Sequence, residues 1–106
     1  MSAGRYRTPI ELEQPVVTHA ADGAASLVYL AAGSDFAAIR TLRQREDLRG
    51  ERLEGVVTHE IRLRYRDDVI GGWRMSAGLR RYRVLSAAPR DDRGAELFCL
   101  AEEEGT

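Results

Sequence analysis

The strongest pattern in the chain is Val57-Thr58-His59-Glu60-Ile61-Arg62-Leu63-Arg64-Tyr65-Arg66. Odd-numbered positions carry apolar side chains or histidine, whereas even-numbered positions carry threonine, glutamate and arginine. Successive side chains of a strand point to opposite faces of its sheet, so this period of two predicts a strand with one buried and one wet face. His59 falls on the apolar side, where we expect a core or interface histidine rather than a catalytic one.

Further strands are predicted on both sides of this segment. Residues 8–16 alternate apolar and polar side chains, and Pro15 indicates a strand end or a sheet edge. An extended pattern restarts at residues 27–30, after a turn at Asp22-Gly23. Short strands are also expected near 74–76, 81–86 and 96–100, with turns near 77–78 and 89–94.

Residues 35–42 fit two structures. Phe36, Ile39 and Leu42 recur at three-residue spacing, which favours a helix, but so short a run also fits a strand. Residues 43–55 are densely charged and carry large apolar side chains only at Leu48 and Leu53. Such a segment buries little surface, so we expect a long mobile loop.

About six short strands, frequent turn signals and little helix predict a mostly β fold, a small antiparallel barrel or sandwich. A length of 106 residues fits a single domain spanning 1–106, and the charged tail at 102–106 is expected to fray. No stretch resembles a signal peptide or a membrane span. The single cysteine, Cys99, fits folding in a reducing cytoplasm.

The chain carries no recognisable catalytic pattern. Two distant histidines and one cysteine do not form a metal site, and Gly71-Gly72 lacks the lysine and helix of a phosphate-binding loop. We therefore expect no enzyme activity, no cofactor, no metal and no small-molecule substrate.

Charge is unevenly distributed although the formal net charge is only −1. Residues 58–83 carry a net +4 and residues 91–104 a net −5. These regions are either two solvated faces or complementary surfaces that meet between subunits or partners. The candidate interface residues are Arg62, Arg64, Arg66, Arg81, Arg83, Asp91 and Asp92.

Several segments, in order, resemble the head–tail joining proteins of long-tailed phages, also called head-closure or stopper proteins. They match the family's opening, its "vwA.i" segment, its "tH.i.iRyr" strand and its two closing motifs. The matching segments are residues 3–7 with 10–15, 36–39, 58–66, 82–84 and 97–102. The chain departs from the family pattern where Leu27-Val28-Tyr29 replaces the usual tryptophan, and where Arg43-Gln44-Arg45-Glu46 lacks the usual glycine.

The resemblance implies a subunit of a homo-oligomeric ring that closes the DNA-filled head of a phage or a gene transfer agent. The portal and adaptor proteins would lie above the ring, and the tail terminator and tail proteins below it. DNA would pass through without sequence-specific binding, and no membrane would be involved. The protein would be made in the bacterial cytoplasm and incorporated into the particle's neck.

The resemblance also makes residues 35–42 a strand and residues 43–55 the loop that reaches the ring interior and gates the channel. The corresponding loop residues are Arg43, Arg45, Leu48, Arg49, Arg52 and Leu53. Two alternatives stay open. The chain could be a tail terminator or another neck-ring protein, or it could be a small nucleic-acid-binding β-barrel module.

Overall fold

The structure is a computed structural model that describes residues 5–42, 56–90 and 95–104. Its six strands are β1 (Thr8–His19), β2 (Ala25–Thr41), β3 (His59–Arg64), β4 (Arg74–Ala77), β5 (Arg80–Pro89) and β6 (Glu96–Glu103). They form a closed antiparallel barrel in the order β1-β2-β3-β6-β5-β4, with β4 pairing back to β1. The predicted mostly β fold of about six strands is confirmed. The expected mobile loop at 43–55 lies outside the described residues.

The interior of the barrel is filled by side chains from all six strands and from the β3–β4 connection. Burying a side chain such as Ile61 or Leu63 contributes about 1.5–3 kcal/mol, so this core supplies the main stabilisation. The buried cluster comprises Ile10, Leu12, Ala37, Ile61, Leu63, Val69, Trp73, Met75, Tyr82, Val84, Leu97, Cys99 and Ala101. No helix in these parts of the chain is long and apolar enough to cross a membrane.

Strand β3 is shorter than the alternation at residues 57–66 predicted. Val57, His59, Ile61 and Leu63 are buried as expected, but β3 ends at Arg64 and Tyr65 is 42% exposed. Among the described residues, pairing beyond β3 continues on the β6 side alone, since the Tyr65 amide donates to the Ala95 carbonyl at 3.0 Å. Without a second neighbouring strand, the inward position of Tyr65 is lost.

The strand alternative is correct for residues 35–41. Within β2, Ala37 lies opposite Leu63 of β3 and Thr41 lies opposite His59. A helix here would leave β3 without a partner on this side, so pairing across the sheet outweighs the weak helical spacing. Ala37 is fully buried in the core of the barrel.

Strand β1 continues past the point where the proline suggested an end. Pro15 lies opposite Tyr29 in the β1–β2 pairing, and β1 extends to His19. The sheet-edge alternative is correct, because in the described parts of the chain β1 pairs with β4 at residues 11–13 and, beyond that, with β2 alone. Proline lacks an N–H donor and is tolerated at such an edge.

The prediction of a fraying tail is wrong for residues 102–104. Glu102 and Glu103 belong to β6, and the Glu104 amide donates to the Arg81 carbonyl at 2.7 Å. The acidic side chains are held here because they lie beside arginines of β4 and β5. Residues 105–106 lie outside the described part.

Candidate assembly surface

The outer wall formed by β3 and β6 carries a network of ion pairs around two buried carboxylates. Glu60 and Glu96 are each only 7% exposed. Arg40 donates to Glu60 at 2.8 Å, and Arg62 lies 3.1 Å from Glu60 and 3.6 Å from Glu96. The Tyr6 hydroxyl donates to Glu96 at 2.8 Å. A buried charge is stable only when it is paired or hydrogen-bonded, and these contacts supply that compensation. The face that was predicted to be solvent-exposed is therefore a layer of side chains held in place by ion pairs.

A second set of ion pairs joins the acidic end of β6 to the arginines of β4 and β5. Arg83 donates to Glu102 at 2.8 Å, and Arg80 donates to both carboxylate oxygens of Glu103 at 2.9 Å. The Arg80 guanidinium holds the pKa of Glu103 below its ordinary value. These partners are brought together because β5 and β6 are antiparallel neighbours.

Arg74 connects three parts of the molecule. Its guanidinium donates to Glu13 of β1 at 2.9 Å and to Glu104 after β6 at 3.2 Å. It also lies over the ring of Tyr29, 3.8 Å from the ring centroid. A cation at this distance from an aromatic face is attracted to it, so Arg74 fixes β2 as well as β1 and β6.

The candidate interface arginines therefore differ in whether a carboxylate of the same chain pairs with them. Arg62 and Arg83 are paired within the chain, and Arg66 donates twice to Asp68, at 2.7 and 2.8 Å, and once to Asp35 at 3.1 Å. Arg64 and Arg81 are exposed and form no ion pair with another described residue. These two retain charge available to a neighbour, and an interface role for the set stays a prediction. Asp91 and Asp92 lie outside the described residues.

Arg64 lies at the rim of a shallow cavity of about 300 Å³. Tyr6, Asp35 and Phe36 are other described residues that line the cavity, and Phe36 is 55% exposed. Burial and the hydrogen bond to Glu96 raise the pKa of Tyr6, so its hydroxyl stays protonated and donates. The cavity combines an apolar ring with an unpaired cation, a combination common at protein–protein contacts.

His59 lies near the opposite mouth of the barrel, in contact with Thr41 and Thr58, which precede and follow segment 43–55 in the sequence. One ring nitrogen is 3.2 Å from the Thr41 hydroxyl and the other is 2.8 Å from the Thr58 hydroxyl. Its carboxylate neighbour Glu103 lies 3.9 Å away. The expectation of a core histidine is confirmed, and His59 links the residues on either side of segment 43–55. The gating candidates Arg43, Arg45, Leu48, Arg49, Arg52 and Leu53 themselves lie outside the described residues.

The described residues show no group of three or more ligands that could hold a metal ion. Cys99 is fully buried, and burial raises the pKa of its thiol to about 12. A thiol that stays protonated is a poor nucleophile and a poor metal ligand, so Cys99 acts as a small apolar core side chain.

The fold is that of a small closed antiparallel β-barrel with a polar, ion-paired outer wall. The family model described as "Phage head completion protein" matches residues 1–104. The chain therefore belongs to the phage head completion protein family.

Two solved structures are similar over nearly their whole length. Protein SF1141 from Shigella flexneri 2a has a TM-score of 0.75 and 20% identity, covering 97% of this chain and 96% of that one. A chain from the virion of a native gene transfer agent particle has a TM-score of 0.70 and 25% identity, covering 94% of this chain and 96% of that one. A search of curated proteins finds no match. The suspected relationship to head-closure proteins of phages and gene transfer agents is confirmed at the level of the family.

Sequence reasoning missed the two features that organise this surface. The buried carboxylates Glu60 and Glu96 looked like solvated positions, because alternation alone does not show which arginines lie beside them. The Tyr6–Glu96 bond joins residues 90 positions apart, and no local pattern indicates it.

Proposed function

We propose that this protein is a structural, non-catalytic component of a phage-like particle, in which it forms a ring beneath the portal and adaptor. The ring closes the DNA-filled head and presents a docking surface for the tail. The observation that carries this proposal is the family match over residues 1–104. The similarity to a chain of a gene transfer agent virion, which covers 96% of that chain, supports it.

The ion pairs of the outer wall support this proposal, because they make the surface of the subunit rigid before it assembles. Charged side chains held by their own neighbours lose little further conformational freedom on docking, which favours association. The exposed Arg64 and Arg81, together with the cavity beside Phe36, offer positions for contact with the next subunit or with a neck protein.

The geometry is less favourable to the nucleic-acid-binding alternative. A protein that binds DNA through phosphates needs several unpaired cations on one face. Arg62, Arg66 and Arg83 are neutralised by carboxylates of the same chain. We therefore propose that DNA passes through the ring without sequence-specific binding.

We further propose, from the family resemblance, that residues 43–55 form the loop that gates the channel. The position of His59 supports this, since it bonds the Thr41 and Thr58 hydroxyls on the two sides of the segment. A segment held at both ends can reach into the ring while its base stays fixed.

The test is electron microscopy of particles from a strain that lacks this gene, complemented with the unchanged gene or with the double variant Leu48→Asp/Leu53→Asp. Separate heads that lose DNA, together with complete tails that never join them, are the expected result without the gene. Joined particles in its absence would overturn the head-closure proposal, and tails of abnormal length would indicate a tail terminator. Failure of the double variant to restore joining would support the gating role, with Ile70→Asp as a control for charge at an exposed apolar position.

A further inference from the structure

The β1–β2 hairpin differs in composition from the rest of the chain. The sequence has 16 basic and 17 acidic residues, yet Asp22 is the single charged residue among positions 14–34. The Asp22 carboxylate accepts a hydrogen bond from the Ala24 amide at 3.0 Å, so it serves the turn. We call residues 14–34 the arm.

Most of the arm lies outside the closed part of the barrel, while Ala32 near its base packs against the core cluster. Strand β1 pairs with β4 only up to Glu13, and β2 pairs with β3 only from Ala37 onward. Among the described residues, the two strands of the arm therefore pair only with each other, and each has a free outer edge. The molecule is 52 Å long but only 30 and 29 Å across, an elongation that agrees with a projecting ribbon.

Both faces of the arm expose apolar side chains. Residues directly opposite each other in an antiparallel pair share a face, so Val17 and Leu27 lie on one face, and Val28 and Leu30 on the other. Their exposed fractions are 58%, 56%, 39% and 50%. An isolated two-stranded ribbon is only marginally stable in water, and free edges with apolar faces promote pairing with another chain. The arm thus has the properties of a docking element.

We propose that the arm docks against the arms of neighbouring copies of this same protein, with the free edge of β1 in one copy beside the free edge of β2 in the next. This inference rests on the proposed ring. The two edges of an arm are different, so their contact is heterologous, the kind of contact that forms a ring when the repeated rotation closes. Arms that run along the ring axis bring β1 and β2 of adjacent copies together antiparallel, the pairing they already have within one copy.

The distribution of charge indicates which surface the arm binds. The barrel wall carries arginines and carboxylates, and docking the uncharged arm there would desolvate those charges without compensation. Ile70 and Leu79 are exposed apolar residues elsewhere, but they lie outside the strands and offer no strand edge. Phe36 is exposed in β2, but it lies beside the charged Asp35 and Arg64 rather than in an uncharged stretch. Among the described surfaces, the arm of another copy is the one that matches in both apolar faces and unpaired backbone groups.

The test uses assembled particles. The photoreactive residue p-benzoylphenylalanine replaces Val17 in one strain and Leu27 in another, and purified joined particles are irradiated. The expected products are dimers and higher multimers of this chain, with the adduct mapped by mass spectrometry to residues 14–34 of a second copy. The same residue in place of Leu79, which is fully exposed but outside the arm, is the matched control and is expected to give no adduct with the arm.

Adducts to a portal, adaptor or tail protein, or joined particles without any arm adduct, would overturn the proposal. A second variant gives an independent measurement. Val28→Glu is expected to lower the yield of joined particles about tenfold, the factor that about 1.4 kcal/mol produces. Leu79→Glu, at a fully exposed position outside the arm, is expected to leave the yield unchanged, with circular dichroism verifying the barrel in both variants. If joined particles form without this gene at all, the proposed function fails; if they require the gene but give no arm adduct, only this inference fails.

Discussion

The imidazole of His59 lies edge-on against the ring of Tyr82, with the ring centroids 4.9 Å apart and the ring planes at 64°. This packing leaves His59 only 4% exposed. Burial disfavours the charged imidazolium and lowers the pKa of His59 below its ordinary value of 6.5, although the nearby Glu103 carboxylate acts in the opposite direction. His59 is therefore neutral in the folded protein at neutral pH.

Stability is expected to fall between pH 7.5 and 5.5. The unfolded chain binds a proton at His59 near pH 6.5, whereas the folded chain resists it, so the stabilisation is complete above 6.5 and is lost as the pH falls toward the lowered pKa. Urea unfolding at both pH values measures this. His59→Gln is expected to remove most of the difference, and His19→Gln, at the exposed end of β1, to keep it. An unchanged difference in His59→Gln would contradict this account.

Tyr6→Phe is expected to destabilise the protein by about 1–3 kcal/mol, the cost of leaving a buried charged acceptor without its donor. Glu96 would lose the 2.8 Å hydrogen bond while staying buried. Chemical unfolding of both proteins gives the difference in free energy. Tyr65→Phe, at a 42% exposed tyrosine, is the control and should change stability by less than about 0.5 kcal/mol. Equal effects of the two substitutions would argue against a structural role for the Tyr6 hydroxyl.

Arg74→Gln is expected to loosen the base of the arm. The substitution removes the contact with the Tyr29 ring and the bonds to Glu13 and Glu104. Hydrogen exchange followed by mass spectrometry should show arm amides exchanging about tenfold faster, a factor that corresponds to about 1.4 kcal/mol. Arg81→Gln removes an exposed arginine of the next strand and should leave the arm unchanged. Arm exchange that is the same in both variants would mean that Arg74 does not hold the arm.

Cys99 is expected to resist a thiol reagent such as Ellman's reagent in the folded protein at pH 8. Its thiol has a pKa of about 12 and no exposed surface, so the reactive thiolate is scarce and inaccessible. The reaction rate should rise with urea as the barrel opens. Ser34→Cys adds a thiol at an exposed position of β2 and should react at once. Rapid modification of the unchanged protein without urea would contradict the burial of Cys99.

Much of the fold was predictable because it follows from local rules. The alternation around Ile61 and Leu63 predicted a strand, and glycines and prolines predicted most of the turns. Strand ends were less predictable, since Tyr65 keeps the alternating pattern of β3 but has no second neighbouring strand among residues 5–42, 56–90 and 95–104. Pro15 correctly indicated a sheet edge. It did not indicate that β1 continues beyond it, because that continuation depends on pairing with the distant strand β2.

The surface was harder to predict because it depends on which strands become neighbours. Arg83 and Glu102 lie opposite each other only because β5 pairs with β6. From the sequence they belonged to two oppositely charged regions that could equally meet between subunits. The arm had a detectable signal in the sequence, a run in which Asp22 is the single charged residue. Its exposure on both faces could not be predicted, because it depends on how few residues of β1 and β2 pair with β4 and β3.

The most direct test of the central claim is cryo-electron microscopy of the neck of purified particles at a resolution that shows strands. The account predicts a ring of these six-stranded barrels between the portal and adaptor above and the tail below, with one chain per subunit and the DNA channel through its centre. Absence of the barrel from the neck, or its presence only on the head surface or at the tail tip, would contradict the account.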